Sequence, residues 1–229
     1  MDISNLDNKS NQEEQAQEKE LQEFEAVKKT IVEGAQELFW TYGLRSVTMD
    51  DIASKLAMSK KTLYQYIQDK ADLVYLCAEH QLESEHCNME EASEQAENAI
   101  DEVLKIMEYN RQFFLNFHPS LILDLQRSYP KAWKMFLRYK EEKIIKSIKA
   151  NMQRGKEEGL YRIDIDPDVI ARMRMAQVES IFNPQVFSQK TYNIGEVQFQ
   201  IFKHFLYGLV TLKGHQILTE TMENVAFFN

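Results

Sequence analysis

Six side chains on one short stretch have the chemistry to read nucleic acid: Lys60, Lys61, Thr62, Tyr64, Gln65 and Tyr66. Lysines meet phosphates or guanine edges, glutamine pairs bidentately with adenine, and the threonine methyl touches a thymine methyl. Tyrosine hydroxyls reach phosphate oxygens at the groove wall. Leu63 and Ile67, four apart, supply two apolar anchors for a helix, so the six polar residues fall on its other faces. A helix of this make-up suits a DNA major groove. The same pattern also describes a small helical hairpin whose polar face is simply solvated.

The flanking residues build the elements that would hold this helix. Thr48 followed by Asp51 has the form of a capping box. Ile52, Ala53 and Leu56 then recur at helical spacing, so a first short helix is expected there. The pattern breaks at Ala57-Met58, and Ser59 is a good N-cap for the second helix. Asp69, with Asp72 three on, caps a third, which places Lys70 in its first turn. Upstream, Phe24, Val27, Ile31, Ala35, Leu38 and Tyr42 form a helical stripe that Gly43 closes at a C′ position.

These pieces together resemble the N-terminal domain of the tetracycline-repressor (TetR) family of bacterial transcriptional regulators. The matching segments are IVEGAQELFWTYGLRSVTMDDIA (31–53) and MSKKTLYQYIQDKADLV (58–74). Ala57 departs from the family, which usually has glycine in the turn. Alanine there implies a different turn or strain of about 1 kcal/mol. The resemblance implies phosphate contacts from Thr48 and Lys70 beside the six groove residues, with Lys28 as a further candidate.

Composition agrees with an all-α protein: 7 Gly and 4 Pro in 229 residues, with 10 Met. No run of about eighteen apolar residues is present, and the start of the chain is acidic and polar. Neither a membrane span nor a signal peptide is therefore expected, and a cytoplasmic location is. Cys77 and Cys87 on one helix would lie about 15 Å apart, too far to bridge. The formal net charge is −9, which argues against a broad field attracting DNA. Its distribution matters more. Residues 1–25 carry eight acids and two bases, whereas 26–76 carry seven bases and six acids. Affinity would rest on a few placed cations.

The expected organisation is an acidic, disordered leader over 1–23, a helix-turn-helix domain over 24–76, and a helical domain over 77–229. The next helix, from Lys70 to about Glu94, carries Cys77, His80 and a Glu83/His86 pair at Glu-x-x-His spacing. A di-iron site needs a second such pair, and His118, His204 and His215 each have an apolar residue three before them. No metal site or cofactor is assigned, and a metal-responsive regulator using Cys77 and His80 stays as an alternative.

Residues 99–152 are rich in aromatics. In the family this middle region lines a ligand cavity, so Phe113, Phe117, His118, Trp133 and Phe136 are candidates to hold a small apolar or amphipathic effector. An aromatic stripe that only packs a core reads the same way. Residues 155–167 match the family's connector, with Asp166-Pro167 opening a helix to about Phe182. A final long helix is expected from about Gly195 to Leu218. By resemblance, these two helices pair with their copies in a homodimer, and Ala176 and Gly208 would permit close approach. Dimerisation also doubles the contact of a weakly binding head.

The expected function is a homodimeric, ligand-responsive regulator of a double-stranded DNA operator, most often a repressor in this family. No Ser-His-Asp arrangement or phosphate-cradling glycine loop suggests an enzyme. A helical partner-binding module without operator reading is the remaining alternative.

Overall fold

The computed structural model describes residues 3–116, 118, 120–188 and 190–224, with the backbone alone for 3–14, 16, 111–116, 223 and 224. The chain is all-α, and no strand is present among the described residues. Nor is any described helix long and apolar enough to cross a membrane.

Helix α1 (Ile3–Tyr42) is followed by α2 (Met49–Lys55), α3 (Lys60–Tyr66) and α4 (Lys70–Gln95). Local signals set each boundary. Gly43 takes φ +82° after α1, a conformation glycine adopts without a Cβ clash, and its N–H closes on Phe39 O at 2.8 Å. The Thr48–Asp51 capping box is fully formed at the start of α2, and Ser59 and Asp69 cap α3 and α4 through their side chains. The turn between α2 and α3 needs a left-handed residue, and Ala57 supplies it at φ +51°.

Helix α1 starts at Ile3, so residues expected to be an unstructured leader are helical. Gln, Glu and Ala are good helix formers, and the leader extends a helix nucleated by a packed segment rather than starting its own. The buried stripe of α1 is Ile31, Val32, Ala35 and Phe39; Phe24 and Tyr42, expected inside, are exposed. Phe24 instead packs its ring 4.7 Å from that of Tyr66 on α3.

The second part comprises α5 (Ala99–Asn116), α6 (Ser120–Ser128), α7 (Pro130–Tyr139), α8 (Ile145–Glu157), α9 (Pro167–Ile181), α10 (Ile194–Leu209) and α11 (Leu212–Asn224). One π-helical turn, Lys140–Ile144, joins α7 to α8 without a break. Asp166 caps α9 through the N–H groups of Asp168 and Val169. The expected single final helix is divided at Val210. There the connector pairs with the chain, Arg162 N–H donating to Leu209 O and Thr211 N–H to Leu160 O. Thr211 Oγ1 then accepts from Gly214 N–H, which starts α11. Leu212, at the start of α11, is 89% exposed.

Two large hydrophobic cores and a small one around Ile145, Ala171 and Met175 result among the described residues. One of the large cores joins α1–α4 to Leu121, Leu125, Ala132 and Phe182, so it runs past residue 76. The other joins α5, α8, α10 and α11 around Tyr161.

Candidate nucleic-acid interface and the cavity behind it

Helix α3 is held by Leu63 and Ile67, which are 0% and 1% exposed. Lys60, Lys61, Tyr64 and Gln65 are exposed around it, and Thr62 and Tyr66 are half-buried. Seven residues make two turns, and two deep anchors on one side leave the opposite side as a free, polar surface. Lys61 forms no ion pair with any described residue. Lys60 is paired 2.9 Å from Asp50, and that hydrogen bond raises its affinity for the proton. Thr62 Oγ1 lies 2.7 Å from Ser59 Oγ, within the cap of its own helix.

The two residues assigned to phosphate contacts are placed differently. Thr48 is exposed, but its hydroxyl and N–H both donate to Asp51 Oδ2 at 2.7 Å. These bonds hold the Asp51 carboxyl below the ordinary carboxylate value. Lys70 turns inward: its ammonium donates to the carbonyls of Leu44 and Val47 and lies 5.8 Å from the Phe39 ring centre. Burial lowers its pKa. Two of the ammonium's three protons are thereby committed to the carbonyls of the loop, which ties Lys70 to the framework of the head.

Behind the head, where the two cores meet, lies a cavity of about 280 Å³. Phe39, Trp40 and Leu44 of the head form one part of its wall, and Val74, Cys77 and Leu82 of α4 another. Arg174 of α9 and Gln198, Phe202 and Phe205 of α10 line it as well, with further residues from α5 to α8. A short polar chain links wall to head. Gln81 donates to Glu85 Oε1 at 3.0 Å and accepts from Gln36 Nε2 at 3.0 Å, and Gln36 Oε1 lies 2.9 Å from His80 Nδ1. Burial raises the Glu85 carboxyl toward its neutral form.

Residues 31–75 match the model for bacterial regulatory proteins of the tetR family. Over that segment the chain resembles the regulatory proteins of the tetR family. Over 154 residues it is 25% identical to YvaF, an uncharacterized HTH-type transcriptional regulator of Bacillus subtilis (strain 168), covering 66% of this chain and 80% of that one. Among solved structures, a TetR-family regulator from Agrobacterium tumefaciens superposes with a TM-score of 0.69 at 14% identity. That match covers 82% of this chain and 100% of the other. A putative regulator from Saccharomonospora viridis, solved in complex with choline, gives 0.65 at 15% identity over 82% and 99% of the two chains.

Of the three aromatic candidates for an effector site whose side chains are described, Phe136 alone is in the cavity wall. Trp133 stacks on the far side of Phe136, ring centres 5.2 Å apart, and is not in the wall. His118 is a tether: its N–H donates to Trp40 O at 2.8 Å and its Nδ1 lies 2.9 Å from Ser120 Oγ. The side chains of Phe113 and Phe117 lie outside the described residues. Arg174 and Gln198 went unnoticed in the sequence, although a basic residue between Ala171 and Met175 on an apolar stripe is a usable signal. Cys77 donates to Val32 O and His80 faces Gln36, so the two residues of the metal alternative are already engaged in packing α4 on α1. No cluster able to hold a metal ion is found among the described residues.

Proposed function

We propose that the regulator acts as a homodimeric repressor, docking α3 in the major groove of its operator and releasing it when a small molecule fills the cavity. The observation that carries this reading is the shared wall: Phe39, Trp40 and Leu44 belong at once to the head and to the cavity. A ligand that favours one arrangement of that wall biases the head's tilt, which is a population shift between two geometries. Lys61, Tyr64 and Gln65 are the groove residues, with Lys60 in support. The Saccharomonospora viridis protein, solved in complex with choline, is a protein of similar fold that holds a small molecule.

The test is binding of the full chain to the DNA upstream of its own gene across a salt series, beside a Lys61→Ala/Tyr64→Ala variant. Wild type should bind selectively with a steep salt dependence. The variant should lose about 1–3 kcal/mol and about one unit of salt slope for the lysine. Equal, weak binding of both proteins to any duplex would remove α3 as the reading element.

A further inference from the structure

Apolar side chains dominate the cavity wall, yet α9 and α10 each send a polar side chain into it without giving it a full set of partners. Arg174 is 8% exposed, and its Nη1 has no hydrogen-bond acceptor among the described residues. Gln198 is 1% exposed, and its Oε1 is equally unpartnered. Both line the cavity. The guanidinium carbon lies 5.4 Å and 5.3 Å from the ring centres of Phe202 and Phe205. Their faces offset part of the desolvation of the cation but supply no acceptor.

The acids nearby are committed elsewhere. On α9 itself, Asp168 pairs with Lys149 and Arg172, and Glu179 with Lys140. Glu85, an acid in the cavity wall, accepts from Gln81. Burial alone pulls the Arg174 guanidinium down to about 10, with no carboxylate opposing it. A buried cation without a counter-charge weakens a fold, and this one faces a largely apolar cavity.

We propose that Arg174 and Gln198 form the head-group subsite for an effector carrying a carboxylate on an apolar body. The guanidinium fork matches a carboxylate in two parallel hydrogen bonds. The Gln198 amide adds a third contact, since its donor and acceptor ends exchange by a half-turn of the side chain. The volume of about 280 Å³ sits at the low end of ligand cavities. A free acid of modest length suits it better than a bulky carrier conjugate. This assignment rests on the cavity being the effector site and adds the ligand's chemical class.

The experiment measures binding to the full-length protein without DNA, by calorimetry and by tryptophan fluorescence, because Trp40 is in the wall. The probes are octanoate, phenylbutyrate, octanol and choline. Octanoate or phenylbutyrate should bind at least tenfold tighter than octanol, and the better of the two reports an aliphatic or an aromatic body. Arg174→Met should abolish that preference while leaving octanol binding unchanged, and should raise the melting temperature of the ligand-free protein. A purely structural arginine would instead lower it. Arg174→Lys, which keeps the charge and loses the fork, should retain part of the preference.

Octanol or choline binding as tightly as the acids, no binding of either acid, or an undiminished preference in Arg174→Met overturns the proposal. Selective operator binding alongside any of those results defeats the ligand class alone. Loss of operator binding with the acid preference intact defeats the regulator mechanism and leaves the subsite standing.

Discussion

Ala57 holds φ +51° in the turn between α2 and α3, where a Cβ crowds the carbonyl. Ala57→Gly should stabilise the protein by about 0.5–1 kcal/mol after glycine's greater unfolded-state freedom is counted. A urea midpoint that falls would show that the turn does not need this conformation. Burial raises the Cys77 thiol above its ordinary 9.0, and the hydroxyls of Tyr139 and Tyr161 above their ordinary 10.0. Each folded value exceeds the unfolded one, so the stabilisation is complete below the unfolded pKa and is lost as pH rises toward the folded pKa. Stability should therefore start to fall above pH 9.0, by about 1.4 kcal/mol per unit per group. Cys77→Ala should delay the onset to near pH 10.0, where the tyrosines begin. Urea midpoints across that range test it. A Cys77→Ala variant whose midpoints track those of wild type between pH 9.0 and 10.0 would contradict the burial of the thiol.

At the scale of elements, the connector between α8 and α9 decides how the last helices lie. Tyr161 is 0% exposed, and its hydroxyl lies 3.1 Å from Ala99 O and 3.2 Å from Asn151 Oδ1. The ring is seated against Gly155, where an added Cβ would come within 2.1 Å of Tyr161 Cδ2. That approach brings the connector close enough to pair its backbone with residues 209–211 and so to divide α10 from α11. Gly155→Ala should destabilise by about 1–3 kcal/mol through overpacking, whereas Tyr161→Phe should cost about 1 kcal/mol for its hydrogen bonds. Thermal melts of the two variants should keep that order. Equal melting temperatures would mean that the ring moves freely and the connector does not set the break.

For the whole molecule, a line of exposed apolar positions runs along α9. Val169 and Met173 are 60% and 42% exposed, Ala176 follows on the same side, and Gly208 of α10 opens onto empty space. This surface is our proposed dimer contact. A Met173→Glu/Ala176→Glu variant should run as a monomer by light scattering, keep its helical circular dichroism, and bind operator roughly a hundredfold more weakly for want of the second head. A variant that stays dimeric would move the interface elsewhere.

Much of the head was legible in sequence because its determinants are local. A cap side chain and the N–H it accepts from are three residues apart at Thr48, Ser59 and Asp69. The anchors Leu63 and Ile67 needed only the helical period, and so did the exposure of Lys61, Tyr64 and Gln65 around them. Lys70 was misplaced because its acceptors, Leu44 and Val47, lie 26 and 23 residues away. The same limit applies more strongly to the cavity. Its wall is drawn from eight helices, and whether an aromatic faces that space or a neighbour depends on how they cross, as Phe136 and Trp133 show. The sequence by itself determined the helix-turn-helix unit, its exposed face and the all-α class, since caps and periodicity act within a turn or two of helix. The tertiary structure alone decided that His118 is a tether, that the last helix breaks at Val210, and that Arg174 stands buried before an open space, because each depends on contacts between segments distant in the chain.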